Sequence, residues 1–521
     1  MTNNETIQSA GSPVAPGPDG EKPAAVEQIM SLDMEPALKP INMAEAAFIP
    51  IGGLSMSEEE RKLDRRVNRK FDFLALPLLV ILFVFDGMDK NNIGNAATVN
   101  FLQTAHLSKN AINNAASLLF ITFVPLQPVS AAFGKWIGVT RWLPFVMLIW
   151  GVLTISNAFI KNDAEFYVIR ILLGACEAGF FPMCMFYIST LYPRFWLGRR
   201  LAIFYGSNTF AGCFSGLIAY AILQWENKPL YSWQYLFIIE GAFTAFFAIV
   251  AFCWLPADAG EAWFLTAEEK EWAGMRMVRD TAHANQAARG ITKTDVIEVC
   301  KDWKIWLIIP GNMCASVIYQ AFNVFLPLIV ENLGYTSYRA NLFTVPIYFV
   351  GSIGLIGAAF SSDHFKERTI HLLCALAIVI FGSILVVTLK SNVGRYVALC
   401  IMNIGTYTQT PLVNASIMNN TPNPNKRVLI VGFSGLGNVG GVIASQLFRS
   451  KYQPTYHIPF YVALALSVIG WLFYFSYRMG MIYQNKKRAK IIANWTPEEI
   501  EEENTNNVRL GDQKYTFVYT L

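Results

Sequence analysis

Nine stretches of this 521-residue chain contain no Asp, Glu, Lys or Arg, and each is long enough to cross a lipid bilayer. About 20 residues of helix span the ~30 Å hydrocarbon layer, because each residue adds a rise of about 1.5 Å. Lipid cannot hydrogen-bond an exposed backbone, so a spanning segment of this kind must be helical. The stretches are 110–134, 142–160, 201–225, 305–330, 340–362, 370–389, 396–425, 428–448 and 452–477.

Three further apolar stretches carry charged residues inside them. The first begins at Phe71, and the other two cover 166–192 and 229–256. The internal charges are Asp86, Asp89 and Lys90 in the first, Arg170 and Glu177 in the second, and Glu240 in the third. Together with the nine uncharged stretches, they predict an all-α membrane protein with twelve transmembrane helices.

The composition excludes most soluble classes of protein. Charged residues make up 15% of the chain, against about 25% in a typical soluble domain, and hydrophobic residues make up 54%. The net charge of +4 is too small and too scattered for a nucleic-acid-binding protein. The eight cysteines include no C-x-x-C pair and the five histidines show no metal-ligand spacing. We therefore expect neither a metal site nor a cofactor.

Lysine and arginine cluster in three regions outside the predicted spans. They precede the first span at 61–70, occupy the long loop after the sixth span, and follow the last span at 478–490. Basic segments remain on the cytoplasmic side of a membrane, so we expect both termini to be cytoplasmic. No cleavable signal is visible at the start of the chain. We expect the plasma membrane, with the vacuolar membrane as the alternative.

The spans and basic regions divide the chain into five predicted regions. A disordered cytoplasmic tail covers 1–55, where Pro, Gly and Ala are abundant. Six-helix bundles cover 56–256 and 304–480, a cytoplasmic central loop covers 257–303, and a cytoplasmic tail covers 481–521.

A weak internal repeat relates the two bundles. Arg141 and Arg368 lie in short basic turns after the second and eighth spans, and they are 227 positions apart. Arg200 and Arg427 open the fifth and eleventh spans with the same separation of 227 positions. The shared spacing indicates a duplication, so we predict two six-helix pseudo-repeats.

Three segments inside the spans carry a family likeness. Residues 89–96 (DKNNIGNA), 170–182 (RILLGACEAGFFP) and 233–241 (WQYLFIIEG) resemble fungal allantoate permease-type transporters, the anion:cation symporter branch of the major facilitator superfamily. Residues 517–519 (FVY) resemble the closing Phe-Arg-Tyr of that family. The likeness covers about 56–521. The family usually has Arg at the positions of Lys90, Gln234 and Val518.

The resemblance implies a fold and a class of cargo. Major facilitators rock two six-helix halves around a binding site near the membrane midplane. Members of this branch carry small organic anions such as allantoate, nicotinate, pantothenate, biotin and dipeptides. Sialin-type and vesicular glutamate carriers have a similar Arg and Glu seven residues apart in span four. They also place a substrate-contacting cation at the position of Lys90.

Arg170 and Glu177 are also informative without the resemblance. Seven residues at about 100° each place them on one helix face, roughly 10.5 Å apart along the axis. A charge at the bilayer centre costs at least about 2.5 kcal/mol, so both should face a cavity. We predict that Arg170 binds a substrate carboxylate and that Glu177 takes a coupled proton. The alternative is a permanent ion pair, or a brace bonded to backbone carbonyls, that fixes span four.

Other polar residues complete the predicted site. Lys90 is a predicted anion contact, and Asp86 and Asp89 are candidates for proton coupling, unless these charges only mark the end of span one. Tyr319, Asn323 and Asn208 are predicted cavity contacts, with ordinary hydrogen bonding between helices as the alternative.

The two short basic turns carry candidate gate residues. They are Lys135 and Arg141 in the first turn, and Asp363, Lys366 and Arg368 in the second. Charged turns of this kind can bridge neighbouring helix ends in one conformation and release them in the other. The alternative is the ordinary excess of positive charge on the cytoplasmic side.

These observations predict a secondary active transporter that imports a small organic anion together with protons, by alternating access. An anion exchanger or facilitator of the same fold remains an alternative, as does a nutrient sensor that binds without transport. The spans show no catalytic constellation, so we do not expect an enzyme. The G-x-G-x-x-G match at 435–440 lies in an apolar run and is interpreted as close helix packing. We expect the lipid bilayer but no nucleic acid and no obligate protein as a partner.

Overall fold

The computed structural model describes residues 58–225, 228–282, 293–335, 337–505 and 511–521. The predicted disordered tail at 1–55 lies outside these described residues. Within them, all regular secondary structure is helical, which confirms the predicted all-α class.

Eleven helices of the described residues are long and apolar enough to cross a membrane, and a twelfth predicted crossing is present as two shorter helices. Spans one to six are Leu76–Ala97, Ala111–Ile137, Val139–Ser156, Asp163–Glu177 with Phe180–Leu191, Arg194–Leu223 and Ser232–Trp254. Spans seven to nine are Trp303–Glu331, Tyr338–Phe365 and Thr369–Thr388. Span ten joins Asn392–Thr406 to Gln409–Asn419, span eleven runs from Pro424 to Leu447 through a 3-10 turn at Gly435–Val439, and span twelve is His457–Ile492.

Spans four and ten are interrupted in the same way. Span four breaks at Ala178, four residues before Pro182, and span ten breaks at Tyr407, four residues before Pro411. Proline has no N–H for the carbonyl four residues earlier, and its ring crowds that carbonyl, so a helix tends to break there. The two breaks lie 229 positions apart, close to the repeat spacing of 227, which supports the predicted duplication.

Both turns that carry the repeated basic residues use a left-handed backbone. Gly138 separates spans two and three at φ 99°, and Lys366 ends span eight at φ 53°. Gly138 reverses the chain in a single residue, which a residue with a side chain would do only with strain.

Two helices outside the spans, Glu58–Leu74 and Ala267–Ala282, pack together at one end of the bundle. We call the end at which span one begins and span twelve ends the basal end, and the opposite end the apical end. The amphipathic helix Glu58–Leu74 turns its buried face toward the central-loop helix Ala267–Ala282. Arg276 of that loop donates to Asp64 and Asn68 at 2.9 and 2.8 Å. The helix Ala267–Ala282 is thereby fixed to the helix that precedes span one.

Residues 511–521, which we call the C-terminal strap, lie across the basal ends of spans in the second half. Asn485 of span twelve exchanges two hydrogen bonds with the backbone of Tyr519, at 2.8 and 2.9 Å. Asn420 of span ten does the same with Thr520, both at 2.8 Å. Span twelve also continues to Ile492, past residue 480, where we place the end of the second bundle from sequence.

The two halves meet along spans one, two and five of the first half and spans seven, eight and eleven of the second half. We call this contact surface the seam. Near the apical end, Asn113 donates to the carbonyls of Ser445 and Phe448 at 2.7 and 2.9 Å. Nearer the basal end, Asn414 donates to the Tyr205 hydroxyl at 3.2 Å. Polar contacts between the halves therefore occur toward both ends of the seam.

Gly94→Ala is expected to force the apical ends of the halves apart. A Cβ at Gly94 would lie 2.1 Å from the carbonyl oxygen of Val324 in span seven. Overpacking of this kind costs about 1–3 kcal/mol. The test uses a protein that keeps Cys213 and lacks the other seven cysteines. A membrane-impermeant maleimide should then alkylate Cys213 on the order of tenfold faster or more in Gly94→Ala than in the parent. Cys213 is 7% exposed and lies on span five.

Gly357→Ala is the matched control, because within the described part of the chain no atom of another helix lies within 4 Å of a Cβ at that position. Equal alkylation rates in the two variants would show that the close approach at Gly94 does not hold the seam shut.

Candidate functional site

Lys90 links two acidic residues from different spans. Its ammonium donates to Asp86, one turn earlier in span one, at 2.6 Å and lies 4.0 Å from Glu177 of span four. The ammonium also lies 5.5 Å from the centre of the Phe123 ring. The carboxylates are 4% and 1% exposed, whereas the Lys90 side chain keeps 18% exposure. We call Asp86, Lys90, Arg170 and Glu177 the central charge cluster.

Arg170 is buried, with 2% of its surface exposed. Its guanidinium lies 5.4 Å from the centre of the Phe166 ring. Across the described residues, no group accepts a hydrogen bond from it or forms an ion pair with it within 4.0 Å. Glu177 and Asp89 interact with it only through longer-range electrostatics. The permanent ion pair with Glu177, the alternative considered from sequence, is not formed, and Glu177 lies beside Lys90 instead.

Span four places both of its charges against span two. A Cβ at Gly174 would lie 2.4 Å from the Leu119 carbonyl, so glycine permits this close contact. The regular helix ends at Glu177, immediately before the break caused by Pro182. The break thus sets the end of the segment on which the charges are carried.

Asp89 belongs to a different environment from Asp86. Its carboxylate accepts from Thr154 at 2.8 Å and from the Trp150 indole, both on span three. Asn92 donates to it at 3.4 Å. Asp89 is therefore held inside the first half, although it is the neighbour of Lys90 in the sequence.

The uncharged candidates divide into two groups. Asn208 of span five donates to the Tyr319 hydroxyl of span seven at 3.0 Å, across the seam. Lys90, Asn208 and Tyr319 each keep partial exposure. Asn323 instead accepts from the Tyr407 hydroxyl at 2.8 Å, within the second half.

The candidate gate residues lie on the two basal turns. Arg368 pairs at 2.5 Å with Asp363 of its own turn. Lys135, Arg141 and Lys366 are exposed. A bridge between the halves through these residues stays a prediction.

Several residues of the site were not identified from sequence. Trp150 and Thr154 hold Asp89, and Tyr407 holds Asn323. Tyr348 of span eight donates across the seam to Asn91 at 3.3 Å. All four lie in stretches without charge, and no local pattern marks their partners. Only the spacing of Trp150 and Thr154, one helical turn apart, indicates a shared face.

The arrangement brings together two cations and two carboxylates from spans one and four, and the Lys90 member of this cluster interacts electrostatically with Tyr319 of the second half, which bonds Asn208. A buried guanidinium without an acceptor among the residues that the structure describes is suited to a planar anion, which it can hold through two parallel hydrogen bonds. Partly exposed Lys90 is suited to a second contact with the same anion.

Comparisons with known proteins agree with this architecture. The family model described as Major Facilitator Superfamily matches residues 79–445. The MFS-type transporter efuF of Hormonema carpetanum is 32% identical, over 84% of this chain and 91% of that protein. The high-affinity nicotinic acid transporter of Saccharomyces cerevisiae is 28% identical, over 88% of this chain and 85% of that protein.

A crystal structure of a bacterial homologue of the human lysosomal transporter Spinster has the same fold. It superposes on this chain with a TM-score of 0.61 at 14% sequence identity. The superposition covers 85% of this chain and 100% of that chain. The match to the family model, the similar relatives and the twelve crossings together show that this chain is a multi-pass membrane transporter of the major facilitator superfamily.

Proposed function

We propose that this transporter imports a small organic anion together with protons, and that it belongs to the allantoate permease-type branch of anion:cation symporters. The observation that carries the proposal is the buried Arg170 guanidinium, which has no hydrogen-bond acceptor among the described residues and lies in the same cluster as Lys90. Removing a guanidinium from water is costly unless an anion or other acceptor compensates it.

The similarity to the yeast nicotinic acid transporter supports a carboxylate as the cargo. Nicotinic acid is a monocarboxylic acid, and a carboxylate fits the forked geometry of Arg170. Lys90 stands where the family usually has arginine, so a second contact from this position is a point charge rather than a fork. We expect a monocarboxylate or dicarboxylate of small size.

The charge balance of the central cluster explains why a proton should accompany the anion. With all four groups ionised, the two cations and two carboxylates cancel. A proton on Glu177 leaves two cations and one anion, a net positive charge that attracts a carboxylate. Lys90 lies between Asp86 and Glu177, so a substrate that approaches Lys90 competes with both carboxylates.

The cycle follows alternating access. The protonated cluster binds the anion, the halves rock about the seam, and loss of the proton on the other side restores the repulsion that expels the anion. An inside-negative potential opposes anion entry by about 2.3 kcal/mol per charge per 100 mV, and co-transported protons overcome that opposition.

The orientation and membrane are part of the same proposal. The basic helix Glu58–Leu74 and the central loop both lie at the basal end, which we assign to the cytoplasm by the positive-inside rule. Both termini are then cytoplasmic, and the plasma membrane is the expected location. Protease protection of an N-terminal epitope in sealed cells tests the orientation.

Uptake of radiolabelled monocarboxylates, beginning with nicotinate, tests the function in cells that lack their own anion carriers. We expect accumulation that disappears when a protonophore collapses the pH gradient. Exchange of internal for external substrate that continues without a gradient, with no net accumulation in any condition, would identify an exchanger. Binding without flux in vesicles would identify a sensor.

A further inference from the structure

Glu240 is a buried acid outside the central charge cluster. It lies on span six with 4% of its surface exposed. Neither of its carboxylate oxygens has a hydrogen-bond donor in the part of the chain that the structure describes. Such a group is costly when ionised, because burial removes the water that would otherwise stabilise its charge.

Close packing holds Glu240 in this position. Spans three and six approach each other through Gly151 and Gly241, where a Cβ on Gly241 would lie 2.7 Å from the Gly151 carbonyl. This contact fixes the residue next to Glu240 against the residue next to Trp150. Trp150 is one of the donors to Asp89. Glu240 and Asp89 are therefore held in one buried region, where they interact electrostatically.

Asn92 lies between the two acids. Its amide nitrogen donates to Asp89 at 3.4 Å, and its amide oxygen is buried without a donor. Asn92 also interacts with the Glu240 side chain. A protonated carboxyl carries one O–H group, which an amide oxygen can accept. Asn92 is therefore the side chain that interacts with both acids.

The surroundings of Glu240 supply little positive charge. Spans three and five contribute no Asp, Glu, Lys or Arg from 142–160 and 201–225. Span one contributes Asp89, together with the Asp86–Lys90 pair, whose cation is already engaged. Arg170 of span four acts on Asp89 from a distance. Asp89 has hydrogen-bond donors and Glu240 has none among the described residues, so ionising both carboxylates is costly and the cost falls mainly on Glu240.

We infer that Asp89 and Glu240, joined by Asn92, form a second proton-binding site in the core of the first half, and that its one exchangeable proton is coupled to anion transport. The inference rests on the proposed function. Because Asp89 acts electrostatically on Arg170, a proton in this pair removes a competing negative charge from the guanidinium. Protonation of the pair therefore strengthens the attraction of Arg170 for an anion, at a site that the anion does not touch.

Proton binding by the pair can be measured without any substrate. Difference infrared spectra of the purified full-length protein, taken between acidic and alkaline pH, report protonated carboxyl groups. We expect Glu240→Gln to remove one titrating carboxyl component and Asn92→Leu to shift it. An unchanged set of titrating components in Glu240→Gln would overturn the inference.

Transport then tests the coupling. A gradient of one pH unit supports at most about a tenfold accumulation per proton. Because Glu177 still couples one proton, Glu240→Gln, a permanently uncharged isostere, is expected to lower accumulation from about 100-fold to about tenfold while exchange without a gradient continues. Glu240→Asp should restore part of the pH dependence. The exposed Glu268→Gln is the control and should behave as the parent protein.

The outcomes separate this inference from the proposed function. If uptake by the parent protein does not depend on the pH gradient, the proposed function itself is contradicted. Gradient-driven accumulation in the parent that persists unchanged in Glu240→Gln contradicts only the second proton site. Loss of exchange together with accumulation in both Glu240→Gln and Glu240→Asp assigns Glu240 a structural role and also overturns the inference.

Discussion

Arg170→Ala is expected to lower the apparent affinity for the anion and the rate of uptake on the order of 100-fold, while the protein without substrate remains folded. Loss of a buried charge–charge contact costs about 2–5 kcal/mol, and each 1.4 kcal/mol is a factor of ten. Within the described residues, no protein group depends on Arg170 for a hydrogen bond, so the cost should appear in binding rather than in folding. Uptake kinetics and the melting temperature of the purified protein, with and without substrate, measure both.

Arg170→Lys refines the same experiment. Lysine keeps the positive charge but loses the planar fork, so we expect partial uptake with a raised KM. Arg339→Ala is the matched control, because Arg339 is an exposed arginine at the apical start of span eight. A bracing role would have the opposite signature, in which Arg170→Ala melts several degrees lower without substrate and binds the anion normally once folded.

The crossings were predictable from sequence because the bilayer imposes a length and excludes charge. The stretches 110–134 and 305–330, for example, correspond to the helices Ala111–Ile137 and Trp303–Glu331. The breaks in spans four and ten also had a local signal, since Pro182 and Pro411 lie four residues after them. Local rules of backbone chemistry and hydrophobicity account for these features.

The partners of the charged residues were less predictable. Helical spacing placed Arg170 and Glu177 on one face, but it gave no reason for Glu177 to lie beside Lys90. That contact depends on how spans one and four pack, 87 positions apart in the sequence. The same limit applies to Asp89, whose partners Trp150 and Thr154 are uncharged and lie on another span. Tertiary packing, which a single sequence does not encode in any local pattern, decides these pairs.

The C-terminal strap shows the same limit most clearly. From sequence, 481–521 is a polar cytoplasmic tail, yet Asp512 is only 4% exposed. Asp512 accepts from Lys304 of span seven at 2.6 Å and from Lys426 of span eleven at 3.0 Å. Asp302 also pairs with Lys426, at 2.7 Å. Two acids and two lysines, from three separate parts of the chain, thus neutralise one another at the basal end.

Asp512→Asn is expected to lower the free energy of unfolding by about 3 kcal/mol or more, because it leaves two buried lysines with only one acidic partner. Burial works to raise the pKa of Asp512, but Lys304 and Lys426 overcome this and hold the pKa below its ordinary value. A carboxyl with a depressed pKa stabilises the fold at neutral pH, and the stabilisation is lost as the pH falls below about 4. The parent protein should therefore lose stability in acid more steeply than Asp512→Asn.

Melting temperatures of the purified proteins between neutral and acidic pH measure this difference. Glu501→Gln is the control, since Glu501 is exposed on the helix Pro497–Thr505, close in sequence to the strap. Asp512→Asn combined with Lys426→Met removes one charge of each sign and should recover part of the loss, because the number of unpaired buried cations falls again. If Asp512→Asn and Glu501→Gln have the same melting temperature at every pH, the strap contributes nothing to the stability of the second half, and its contacts are incidental to the fold.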